Sequence, residues 1–268
     1  MKRPGIDNER EFDWGRTSGN YAKYRPGYPE AFYDALHALG IGTARQRILD
    51  LGTGTGVLAR AFAKRGATVT GIDIAENQIE QARRIAEEEG LDVTFEVCPT
   101  ESMSVEDGSL DIVSAGQSWL YFDKEIVIPR VSSALKEDGK LVMTTLAWLP
   151  HIDEVAKMSD DLVLKYNPDW KGANYPGARA TTSRSLGGAF ELITFHAMRV
   201  PMPFTRGSWQ GRYLACRGVG ASLTEEEIEA FDREHGSLLA EKVDESFSVL
   251  HDVVVQVYVK KGYRLAQE

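Results

Sequence analysis

The sequence predicts an α/β fold: a seven-stranded, mainly parallel sheet flanked by helices, with an N-terminal arm and a cap inserted after the fifth strand. Three observations carry that expectation. From Arg47 onward short apolar strands alternate with amphipathic helices, a glycine-rich turn follows the first of those strands, and a long valine-rich run lies near the end of the chain. Parallel neighbours need long crossovers, which are almost always right-handed, so such an alternation winds helices onto both faces of one sheet. The first 148 residues have a Rossmann-like nucleotide-binding layout.

Residues 1–30, rich in Gly, Pro, Tyr and Arg, read as an ordered aromatic arm. It leads into a helix from Pro29 to about Leu39, because Pro suits a first helical turn and Gly40 a stop. RILDL is the first strand and Val57–Lys64 a helix. ATVTGID is the second strand, and Glu76–Glu89 a helix that Gly90 ends. DVTFEVC and LDIVSA follow as strands, Lys124–Leu135 as a helix, and KLVMTTLAW as the fifth strand after an Asp138-Gly139 turn. The alternation then breaks. HIDEVAKMSDDLVLKY is helical, and NPDWKGANYPGARATTSRS suits a loop or cap. FHAMRVPMPF is a strand, Gly207–Arg217 and Thr224 to about Val243 are helices, and SFSVLHDVVVQVYVKKG closes the sheet, with at least one antiparallel strand expected. The expected division is arm and helix over 1–40, core over 41–150, cap over 151–190 and completion of the sheet over 191–268, all in one overall domain.

Of the 268 residues, 31 are Lys or Arg and 40 Asp or Glu, a net charge of −9. Binding to a nucleic-acid backbone needs concentrated cations, so no nucleic-acid partner is expected. The N-terminus lacks the apolar stretch of a signal peptide and no run approaches the length that spans a bilayer, so the protein is expected in the cytoplasm, without a membrane partner. Cys98 and Cys216 lack metal or disulfide spacing and read as free thiols; no metal site is expected.

The run ILDLGTGTG puts a strand directly before Gly52, Gly54 and Gly56. Glycines there let the backbone turn sharply and approach a ligand, while the next helix offers its positive end. Asp73 ends the following strand, where such folds place an acid against ribose hydroxyls. A dinucleotide loop reads G-x-G-x-x-G, whereas this one reads G-x-G-x-G with Val57 in the last position, and Asp50 adds a carboxylate that favours a cationic ligand.

This loop closely resembles that of class I S-adenosylmethionine-dependent methyltransferases. GIDIAENQIEQAR resembles the second motif of that family, and CPTESMSVEDGSLDIVSAGQSWLYFD its third and fourth elements. FDWGRTSGNYAKYRPGYP resembles the arm of its small-molecule type, related to trans-aconitate methyltransferase. The resemblance covers residues 12–148 and implies S-adenosylmethionine as cofactor and a small-molecule acceptor in a covered pocket. It implies Asp73 on the ribose, Ile74, Thr100 and Glu101 around the adenine, and Gly116 and Gln117 at the methionine end. Asp50, Gly52, Thr53, Gly54 and Gln78 complete the set, with Tyr21 and Arg25 covering the cofactor and Arg25 meeting its carboxylate. Two departures stand out, the first removing an acid or base role for a histidine and the second narrowing the acceptor. Where relatives often carry a His-Trp pair, this chain has Trp119-Leu120-Tyr121, and it has no N/D-P-P-Y/F motif, which argues against planar exocyclic or amide nitrogens.

Methyl transfer needs alignment above all, and a general base only for an acceptor that is neither ionised nor a free amine. No catalytic residue is fixed by the sequence. Of five histidines, His151, after the fifth strand, is the best placed as a base; the alternative is a surface or capping residue. Trp14, Trp119, Tyr121 and Trp148 are the candidates for an apolar acceptor pocket, against the alternative that they pack the arm and cap. Arg179, Arg184, Arg199, Arg206, Arg212 and Arg217 offer scattered guanidinium groups to an anionic acceptor. Two other readings stand beside the methyltransferase: a noncatalytic S-adenosylmethionine-binding protein and an NAD-dependent oxidoreductase. The sequence leaves the acceptor atom and the oligomeric state open.

Overall fold

The computed structural model describes residues 2–173, 175–180, 186 and 188–262; Arg184 and part of the expected cap lie outside them. Seven strands form one sheet in the order β3-β2-β1-β4-β5-β7-β6. They are β1 Arg47–Leu51, β2 Thr68–Asp73, β3 Thr94–Val97, β4 Leu110–Gly116, β5 Leu135–Trp148, β6 Phe190–Thr205 and β7 Ser246–Lys260. β1 pairs in parallel with β2 and β4, as do β2 with β3 and β4 with β5. The eight helices among the described residues are α1 Ser18–Tyr24, α2 Glu30–Ala38, α3 Val57–Ala63, α4 Glu76–Glu88, α5 Lys124–Ala134, α6 Glu154–Tyr166, α7 Arg206–Leu214 and α8 Glu225–Lys242.

Most boundaries fall within a residue or two of those read from the sequence, because local signals set them. Gly90 at φ 65° ends α4, and Thr224 and Glu227 close a reciprocal capping box on α8. Three elements differ, the first being β6, which begins at Phe190, five residues before the expected FHAMRVPMPF. The arm contains helix α1, which its Gly and Tyr content masks. β5 begins at Leu135 rather than after the Asp138-Gly139 turn, because the pairing jumps from Leu110↔Leu135 to Ile112↔Lys140. Five steps along β5 face two along β4, so the turn is absorbed as a bulge. Gly139 permits it: a Cβ there would lie 3.0 Å from the Leu110 carbonyl oxygen.

The chain divides into two compact units. The glycine-loop unit comprises Tyr28–Thr145, Arg179–Ala197 and Val253–Glu268; the aromatic unit comprises Met1–Gly27, Leu146–Ala178 and Met198–Asp252. The core of the first gathers Leu49, Leu51 and Ile72 from β1 and β2, Val113 from β4, Val127 and Val131 from α5, and Tyr258 from β7. The core of the second gathers Trp148, Trp209, Tyr213, Phe204 and Phe231 with Val163 and Val219. Residues 251–259 of β7 are all buried, Asp252 and Gln256 included. Both sides of the strand are therefore covered, beyond the single apolar face that alternation predicts. Asp252 is satisfied there by Arg199 Nε at 3.1 Å and the Ala178 N–H at 2.8 Å.

Candidate cofactor site

In the glycine-loop unit the turn after β1 is built from three left-handed glycines, with φ of 61° at Gly52, 56° at Gly54 and 77° at Gly56. Other residues adopt this region at a penalty of about 1–2 kcal/mol each. At two of the three, space is also exhausted. A Cβ on Gly52 would lie 2.6 Å from Ser118 Cβ, and one on Gly56 2.7 Å from the Phe95 ring. The loop is held from behind. Ser118 Oγ donates to the Leu51 carbonyl at 2.6 Å, and Thr53 N–H donates to the Ile72 carbonyl at 2.9 Å.

Asp73 ties the loop to the end of β2. Its Oδ2 accepts from the Gly54 N–H and its Oδ1 from the Ala75 N–H, both at 2.9 Å. Burial pushes this carboxyl up, and the same backbone donors oppose the shift. Beside it Ile74 is 45% exposed, an apolar face next to a carboxylate. A planar heterocycle joined to a diol fits that pair: the diol on the acid's remaining lone pairs, the ring on the isoleucine.

At the end of β4, Gly116 is pressed by Leu58, whose Cδ1 lies 2.8 Å from where a Cβ would stand. Gln117 follows at φ 59°, a left-handed non-glycine residue whose N–H donates to the Thr144 carbonyl at 3.0 Å. Such strain gathers at ligand clamps. Tyr28 and Thr144 share a hydroxyl hydrogen bond at 2.8 Å that steadies this corner. Thr100 is buried in a short 3-10 turn, Glu101 accepts from the Asp123 N–H at 3.0 Å, and Gln78 is buried on α4. Trp119 meets Phe122 edge to face at 5.9 Å, and Phe122 in turn borders Gly52; Tyr121 is half-buried.

Asp50 corrects an expectation. Placed by the sequence at the ligand, it is 2% exposed, and its two oxygens accept from Ser114 Oγ and Thr53 Oγ1, each at 2.6 Å. Burial raises its pKa to about 6, against the pull of both hydroxyls. Its carboxylate joins β1, β4 and the loop from inside, because it sits mid-strand with its side chain between the sheet neighbours. Ser114, Ser118 and Thr144 are contributors that sequence reasoning missed. Small hydroxyl residues carry no spacing signal, and only strand pairing brings them to the loop.

The remaining expected residues lie in the aromatic unit. Trp14 and Tyr21 meet edge to face at 6.2 Å, and Arg25 stacks over Tyr21 at 4.6 Å. Trp148 is 7% exposed and donates from Nε1 to Asp160 at 3.1 Å, so it is a core residue of that unit. His151 is exposed in the turn between β5 and α6. Among the described residues no group of His, Cys, Asp and Glu is arranged to hold a metal ion, and no helix is long and apolar enough to cross a membrane.

An uncharacterised methyltransferase of Mycobacterium tuberculosis is 28% identical over 162 residues, 58% of this chain and 63% of that protein. A ubiquinone biosynthesis O-methyltransferase of Bordetella avium is 31% identical over 153 residues, 52% of this chain and 64% of the relative. The chain therefore spans a little under two thirds of the length of these relatives. A crystal structure of an S-adenosylmethionine-dependent methyltransferase from Thiobacillus denitrificans, in complex with S-adenosylhomocysteine, shares the fold with a TM-score of 0.56 and 22% identity, covering 97% of this chain and all of that one. Residues 43–191, which hold the glycine loop, Asp73 and Gln117, match the methyltransferase domain family, and the chain belongs to that family.

Proposed function

We propose that this chain transfers the methyl group of S-adenosylmethionine to a small-molecule acceptor. The observation that carries the reading is the coupling of the left-handed glycine loop to Asp73 through the Gly54 N–H at 2.9 Å, with exposed Ile74 alongside. In this reading Asp73 accepts from the ribose hydroxyls, Ile74 with Thr100 and Glu101 borders the adenine, and Gly52, Thr53, Gly54, Gly116 and Gln117 hold the methionine end. The bound cofactor supplies a methyl group on a positively charged sulfur. The chain orients it, and orientation of two reactants contributes about 7–11 kcal/mol in well-aligned cases. An ionised oxygen or a free amine needs no base, so the absence of an assigned base is compatible with turnover. The net charge of −9 and the small-molecule pathway in the name of the Bordetella relative support a small acceptor over a nucleic acid.

Calorimetric titration of wild type and Asp73→Ala with S-adenosylhomocysteine tests the reading, with NAD as a control ligand. Wild type is expected to bind S-adenosylhomocysteine and not NAD, and the variant to lose at least tenfold in affinity. Unchanged affinity in the variant, or a preference for NAD, overturns it.

A further inference from the structure

β6 ends the sheet on one side and, with 16 residues, is its longest strand; β3, at the other edge, has 4. Its even positions turn inward: Phe190, Met202 and Phe204 are buried, and Leu192 packs on a core. Its odd positions from Glu191 to Pro203 are all exposed, Ile193 by 43% and Phe195 by 38%. An edge strand carries a row of backbone N–H and C=O groups open to another strand, and proteins guard such rows with Pro, Lys or inward charges. Here the guard stands at one end. Pro201 and Pro203 have no N–H to offer, whereas Phe190–Val200 contains neither proline nor lysine and exposes two strongly β-forming apolar side chains.

The residues on the exposed face indicate what fits it. Glu191 and Arg199 stand four positions to either side of Phe195, with Ile193 and Ala197 between. A second copy of the strand, antiparallel about a two-fold axis at Phe195, sets Glu191 opposite the partner's Arg199 and Ile193 opposite the partner's Ala197. Phe195 then faces the partner's Phe195. On the inner face Leu192 meets the partner's Met198 and Thr194 the partner's His196, so no like charges are opposed. Opposite charges and aromatic pairs across strands are favourable, and like charges are not. Arg199 holds Asp252 through Nε at 3.1 Å, yet half of its side chain is exposed. Sliding the copies by two residues either way sets Glu191 against Ala197 or Pro201, and Arg199 against Ala189 or Ile193. The two charges meet in the register centred on Phe195 and in no other.

We propose that β6 is a self-association surface, through which two copies of this chain join edge to edge over Glu191–Arg199, antiparallel about Phe195. The paired run is about 30 Å long. The same patch serves both copies, so the contact closes on itself and stops at a dimer. The proposal is independent of the methyl-transfer reading.

Sedimentation velocity of the full chain over a concentration series tests it, with Phe195→Asp, Phe195→Lys and cysteine variants. Wild type is expected to pass from monomer to dimer as concentration rises, with no larger species. Position 195 faces itself, so Phe195→Asp and Phe195→Lys each oppose like charges and should each raise the dissociation constant at least tenfold. An equal mixture of the two opposes acid to amine and should be at least threefold more dimeric than either alone. Under mild oxidation Phe195→Cys should cross-link into a dimer, whereas Ile193→Cys and wild type, with its own Cys98 and Cys216, should not. Wild type that stays monomeric, association that either charge at 195 leaves unchanged, or a mixture no more dimeric than its components overturns the proposal. Equal cross-linking of Ile193→Cys and Phe195→Cys overturns it too. Because Phe195 is partly exposed, all variants should melt within a few degrees of wild type; should a charged variant not fold, cross-linking of Phe195→Cys against Ile193→Cys decides.

Discussion

Substituting Gly52 by Ala isolates what the glycine loop requires. Two penalties act there. The left-handed backbone at φ 61° costs alanine about 1–2 kcal/mol. The new Cβ would stand 2.6 Å from Ser118 Cβ and 3.3 Å from the Phe122 ring, overpacking worth about 1–3 kcal/mol. Gly90→Ala is the reference, since its φ is 65° and nothing lies within 4 Å of the Cβ site, so it carries the backbone penalty alone. Urea unfolding should then place Gly52→Ala about 2–5 kcal/mol below wild type and Gly90→Ala about 1–2 kcal/mol below. With an m-value of about 2 kcal/mol per molar, the midpoint of Gly52→Ala falls by about 1–2.5 M. Adding Ser118→Gly removes the clashing carbon, and the double variant should recover about 1 kcal/mol or more relative to additivity, even though the Ser118–Leu51 hydrogen bond is lost. Equal midpoints for Gly52→Ala and Gly90→Ala, or strict additivity with Ser118→Gly, refute the close-approach argument.

Two further outcomes follow from buried charge. His235 is fully buried, with Nε2 2.9 Å from Ser159 Oγ, and burial lowers its pKa from about 6.5 to about 4. The unfolded chain takes up this proton first, so the contribution is full above pH 6.5 and is lost as pH falls towards 4, about 2 kcal/mol of it between pH 7 and 5. His235→Phe should flatten the stability profile across that window by this amount in urea melts at the two pH values; an unchanged slope counts against a neutral buried ring. Asp50 works in the opposite sense, since its raised pKa makes acidification favourable, and comparison of the variant with wild type cancels its effect. Asp7→Ala strands the Arg217 guanidinium and should destabilise by about 3–5 kcal/mol, whereas Asp7→Ala with Arg217→Met should cost less than the single change. Equal losses in the two variants mean that the pair does not act as a unit.

From β1 onward the sequence by itself determined the order of strands and helices, together with the glycine loop and the acid at the end of β2. Each of these depends on residues within one or two turns of the chain: alternating apolar positions, capping boxes, and glycines where φ is positive. Tertiary structure decided what the charged and hydroxyl residues do. Asp50 and Asp73 both stand near the loop in sequence, yet strand pairing sets Asp50 between Thr53 and Ser114 in the interior and leaves Asp73 with Gly54 and Ala75 at the rim. Arg212 and Arg217 are five residues apart and chemically identical, yet one finds Asp7, 210 positions away, and the other, among the described residues, meets a tryptophan face and a thiol. Local patterns fix backbone conformation because their energies are local, whereas the fate of a charge depends on partners that only folding brings within hydrogen-bond reach.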